Sequence, residues 1–124
     1  MKPPHACATA FALLFILIIG TIFFARFLDD TVNEILLSLD KFPEEALLAE
    51  KNAAELQSFW EERRLTLSFT LSDSSLNSIS LLFDELNISI KNCDNEEYQK
   101  ATARLKRAVE SIKQLEMISL SNIF

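Results

Sequence analysis

The sequence predicts an all-α protein: a single N-terminal transmembrane helix followed by a small helical hairpin or three-helix bundle. Three observations carry this. Twenty consecutive uncharged residues run from Ala6 to Ala25. Beyond position 28 there is no Gly and one Pro, Pro43, which leaves few turn formers for a multi-stranded sheet. In the same stretch, apolar residues recur at alternating steps of three and four, the spacing of a helix face.

The chain of 124 residues divides into a short tail (1–5), an anchor (6–27) and a helical domain (28–124). As a helix the uncharged run is about 30 Å long, the thickness of a bilayer hydrocarbon core. A cleaved secretory leader is the alternative, leaving a secreted small helical binding module after removal of residues 1 to about 27. Such a leader needs a small-x-small site, yet Phe23 stands where a small residue is wanted. Cys7 precedes the apolar run instead of following it, which excludes a lipoprotein signal. Lys2 and the α-amino group flank one side and Arg26 the other, so basic residues hardly bias orientation. The shortness of the tail favours a cytoplasmic N-terminus and an extracytoplasmic C-terminal domain at the cell membrane. Ala8-x-x-x-Ala12 and Thr21-x-x-x-Ala25 have the spacing at which two spans pack as a homodimer, but an Ala-rich run produces such pairs by chance as well.

After the anchor, Val32, Ile35, Leu36 and Leu39 mark a helix that either opens at Asp30 or continues the span, ending at Phe42-Pro43. A second helix is expected from Pro43-Glu-Glu, its acidic residues matching the positive end of the dipole. Leu47, Leu48, Leu56, Phe59 and Trp60 form its apolar face. Leu65 to Ser72 alternates like a strand, but nothing in the chain offers it a partner. The longer register Leu65, Phe69, Ser72, Leu76, Ile79, Phe83, Leu86, Ile90 fits a helix, bent near Ser72-Asp-Ser-Ser75 where side chains compete for backbone hydrogen bonds. Asp94 and Glu97 form a capping box opening a last helix, with Tyr98, Ala101, Leu105, Ala108, Ile112 and Leu115 on its inner face. These two seams predict an antiparallel hairpin. The apolar tail Leu120-Ser-Asn-Ile-Phe124 is expected to dock back on it.

Catalytic machinery is not expected. One Gly excludes P-loops, dinucleotide turns and nucleophile elbows. One His, His5, lies in the tail, and two Cys with one His do not make a common zinc site. No cofactor is expected, and the chain reads as a non-enzyme. Beyond position 28 there are 18 acidic and ten basic side chains, which argues against nucleic acid. The basic residues of the last helix (Lys100, Arg104, Lys106, Arg107, Lys113) either pair with acidic neighbours or reach anionic headgroups. Glu61-Glu62 and Glu96-Glu97 read as solvated faces. Three residues are candidate partner contacts: Trp60 and Phe83, as aromatic anchors or else core, and Cys93, as an intermolecular bridge or else a free thiol.

The anchor, Trp60, Leu76-Asn-Ser-Ile79, Leu86 and Asn122-Ile-Phe124 resemble an uncharacterised family of short membrane-anchored helical proteins from endospore-forming Firmicutes. A His–acid pair often precedes the Leu76 segment in that family, and Ser72-Asp-Ser-Ser75 stands in its place here. The resemblance implies a helical fold at a membrane and no particular chemistry. The expected partners are therefore the lipid bilayer and another membrane or envelope protein, bound through an apolar helix seam.

Overall fold

A computed structural model describes the backbone of residues 4–123 and the side chains of residues 5–114. Four α-helices follow one another: α1 (Pro4–Asp40), α2 (Glu50–Leu67), α3 (Asp73–Lys91) and α4 (Asn95–Ile123), with a 3-10 turn at Ala46–Leu48. There is no strand among the described residues.

Helix α1 is unbroken across the predicted boundary, because nothing between Ala25 and Asp40 stops a helix. Its first part is exposed from His5 through Ile19, and Ile22 and Phe23 are exposed as well. The few polar groups there serve themselves: the Thr9 hydroxyl donates to the His5 carbonyl and Thr21 to that of Leu17. From Leu28 onward one face is buried, through Val32, Ile35 and Leu39. The apolar helix thus runs on as the first wall of the folded domain.

The remaining helices complete an up-down-up-down bundle. Arg63 of α2 lies over Phe27 of α1, Asn77 of α3 binds Arg64 of α2, and Lys106 and Lys113 of α4 reach Asp40 and Asp29 of α1. Each pairing runs antiparallel, and α4 closes the ring against α1. The expected hairpin of α3 and α4 is present, but it is half of a four-helix bundle and not most of a three-helix one.

Two corrections explain the difference. Pro43-Glu-Glu does not start a helix: Glu45 is extended and α2 begins at Glu50. Tertiary hydrogen bonds hold this connection open. Tyr98 donates its hydroxyl to the Pro43 carbonyl at 2.6 Å, Gln99 its amide to Glu44, and the Ala46 N–H donates to the Asn95 side chain at 2.8 Å. Leu47 and Leu48 therefore face solvent, while Ala46, Ala49 and Ala53 point inward.

The second correction falls at Leu65–Ser72. Helix continues only to Leu67, then the chain reverses through 68–72. Ser68 and Thr70 hydroxyls donate to the carbonyls of Leu65 and Leu67, and the Ser72 hydroxyl caps α3 by accepting the Ser75 N–H. This competition for backbone groups goes beyond the expected bend. Leu65 and Phe69 leave the seam and are exposed, while Leu67 takes the buried place. From Leu76 to Ile90 the seam is buried as its spacing predicts, Leu76, Ile79, Phe83, Leu86 and Ile90 all facing inward.

Helix α3 ends in a Schellman motif. The Asp94 N–H donates to the Ser89 carbonyl and the Cys93 N–H to that of Ile90, with Cys93 at φ 54°. Asp94 then caps α4, accepting the Glu97 N–H, but the expected capping box is only half formed, because the Asp94 N–H is spent on the Ser89 carbonyl. On α4, Tyr98, Ala101, Leu105, Val109 and Ile112 are buried. The backbone remains helical to Ile123; the expected packing of Leu115 and of Leu120–Phe124 lies outside the described side chains.

Candidate functional surfaces

Trp60 and Phe83, each 1% exposed, meet inside the bundle with ring centroids 6.1 Å apart and planes 24° from parallel. The indole N–H donates to Ser80 Oγ at 3.1 Å. Neither ring presents a face to a partner in this packing. Their elements put them there: each lies on the inward stripe of its helix, α2 and α3 respectively. Two further side-chain pairs flank them between the same helices, Asn87 donating to Gln57 and Arg64 to Asn77. Cys93 sits apart from both, exposed in the α3–α4 turn, and Cys7 is exposed at the other end of the chain. The three singled-out residues therefore do not form one site.

Four of the five basic residues of α4 meet carboxylates. Lys100 binds Glu96 and Glu97 at 3.3 and 3.8 Å, Arg104 binds Glu85 at 3.7 Å, Lys106 binds Asp40 and Lys113 binds Asp29 at 3.1 Å. The Asp40 hydrogen bond and charge hold the Lys106 ammonium above its ordinary pKa. All of these side chains are at least one-third exposed, so the pairs set helix register more than they add stability. Burial pushes the Tyr98 phenol up.

A cluster the sequence analysis did not single out lies where α1 enters the bundle. The Arg63 guanidinium is held between the Phe27 and Phe59 rings, 4.9 Å from each centroid. Phe23 stacks on Phe27 at 6.3 Å, and Phe24 lies 6.5 Å from Phe69 in the α2–α3 turn. Phe23 and Phe27 at i and i+4 were a legible signal; the approach of Phe69 was not, because it depends on the chain reversing at 68–72. Leu65 and Phe69, 74% and 76% exposed, are the barest large apolar residues of the bundle among the described side chains.

The surface grooves do not gather reactive groups. One of them, about 490 Å³, lies between α2 and α3 beside Leu47, Gln57, Asn87 and Cys93. Among the described residues no three His, Cys, Asp or Glu side chains stand close enough to hold a metal ion. The chain matches no curated protein and no solved structure. A family model described as a domain of unknown function, DUF4363, matches residues 25–123. Its first matched residue closes the uncharged run, so the match spans the four-helix bundle and omits most of the apolar helix. The chain belongs to the DUF4363 family of domains of unknown function.

Proposed function

We propose that this is a non-enzymatic, single-pass membrane protein whose first helix crosses the cytoplasmic membrane and displays the four-helix bundle outside, where it binds another membrane or envelope protein. The observation that supports the reading is the continuity of α1. Its exposed apolar part is long enough to span a bilayer, and the same helix supplies a wall of the bundle. Apolar surface of that extent needs a cover. Removal of a leader near residue 27 would strip Phe24 and Phe27 from Phe69 and Arg63, which disfavours the secreted alternative. Membrane fractions of expressing cells test this. The chain should resist alkaline extraction with an intact mass that includes residues 1–27, and protease added to protoplasts should cut beyond about position 30. A soluble, shortened product would end the anchor reading, and full protection would reverse the orientation.

A further inference from the structure

The α2–α3 turn stands at the depth of the membrane surface. Phe24 lies one residue before the end of the uncharged run Ala6–Ala25, within a turn of Arg26. If α1 spans, this is where hydrocarbon gives way to headgroups. The Phe69 ring is 6.5 Å from that of Phe24, so it shares that depth. Two bare apolar side chains stand at this end, Leu65 in the last turn of α2 and Phe69 in the turn itself. The far end of the bundle, at Cys93, is the length of α3 away, roughly 28 Å at the rise of a helix.

We propose that the α2–α3 turn is a bilayer-docking tip: Leu65 and Phe69 insert into the interfacial layer of the membrane that α1 crosses. The proposal rests on the anchor reading and adds a surface and an orientation to it. The occupant is lipid because the patch is continuous with the apolar face of α1 through Phe24. Phe and Leu side chains of surface-bound segments bury at the boundary between headgroups and acyl chains, and Arg63, stacked between Phe27 and Phe59, sits beside it with a stem and head suited to that boundary. Asp29, Asp30, Glu61, Glu62 and Asp73 at the same end offset Arg26, Arg63, Arg64 and Lys113, so apolar insertion and not attraction to anionic lipid drives the contact. Uncharged phosphatidylcholine is therefore sufficient.

The full chain with Cys7→Ser and Cys93→Ser, both exposed positions, gives a background for single spin labels. Labels are placed by Phe15→Cys, Phe69→Cys and Ile88→Cys, all exposed sites, in phosphatidylcholine vesicles. Accessibility to oxygen and to a water-soluble nickel chelate then reports depth. The Phe15 label should lie deep in hydrocarbon. At position 69 the label should be shielded from nickel several-fold relative to position 88 and remain open to oxygen. A water-like label at 69 with a deep label at 15 overturns the docking tip and leaves the anchor standing. A water-like label at 15 overturns both. Spin–spin broadening at 69 would mean that a second copy covers the tip, and the lipid assignment would fall.

Discussion

Trp60 and Phe83 stack at 6.1 Å across the α2–α3 interface, and the indole N–H is satisfied by Ser80. Both rings are enclosed, so each carries packing energy and neither is free for recognition. Phe83→Ala removes a buried ring beside a rigid indole that cannot collapse into the space. It should cost roughly 3–5 kcal/mol, against less than about 0.5 kcal/mol for exposed Ile88→Ala. Urea unfolding of a segment beginning at Arg26, which keeps every buried residue, makes the comparison. Equal midpoints for the two variants would show that this interface is not closed.

Ser80→Ala isolates the polar part of the same contact. It leaves the Trp60 N–H buried without an acceptor, worth roughly 1–3 kcal/mol. The same urea titration measures it. A neutral result would mean that water reaches the indole.

Cys93 occupies the left-handed position of the Schellman motif, where a side chain is strained and Gly is not. Cys93→Gly should therefore stabilise the bundle by about 0.5–1 kcal/mol, and Cys93→Ser should change little. Because the thiol is exposed, no packing is lost in either variant. Thermal unfolding under reducing conditions separates the backbone effect from oxidation. A loss of stability in the glycine variant would sink the argument from strain.

How much of this was legible in the sequence depended on the range of the interactions involved. The seam Leu76–Ile90 and the cap at Asp94 are written locally, by spacing and by one side chain three residues from its target. Residues 43–49 were misread as helix because their conformation is set by Asn95, Tyr98 and Gln99, about fifty residues away in sequence. The register through Leu65 and Phe69 failed because a helical step pattern does not record direction. A chain that reverses at a Ser/Thr cluster keeps the same apolar count while moving those two residues outside. Trp60 and Phe83 could be read as either core or contact from sequence, and their burial is seen only in the assembled bundle, of which α1 is the fourth wall. The cluster at Arg63 needed that same wall.

Alkaline pH should weaken the bundle. Burial raises the Tyr98 phenol above its unfolded value near 10, and Asp40 raises Lys106 above its unfolded value near 10.4. For both groups the native state keeps its proton to higher pH than the unfolded chain. Their contribution is thus complete below about pH 10 and is lost as pH rises through the folded values. Ionised Tyr98 also loses the hydrogen bond it donates to Pro43. Urea midpoints should fall above pH 10, and Tyr98→Phe should be less sensitive there while costing about 0.5–1.5 kcal/mol at neutral pH. An unchanged alkaline fall in Tyr98→Phe would move the cause elsewhere.

The last prediction concerns Arg63, whose guanidinium lies 4.9 Å from both the Phe27 and Phe59 centroids. A planar cation between two rings stacks on both; an ammonium is a point charge that prefers water. Arg63→Lys keeps the charge and most of the stem, so any cost reports the stacking itself. About 1 kcal/mol is expected, with a similar or larger loss for Arg63→Gln. Phe59→Leu should reduce the difference between Arg and Lys at position 63, since one ring of the sandwich is gone, and a double-mutant cycle in urea reads that coupling. Independent effects of the two substitutions would show that the ring contacts contribute nothing and that Arg63 merely fills space between α1 and α2. Coupling would instead establish that this cation locks the C-terminal end of α2 to α1 where that helix enters the bundle.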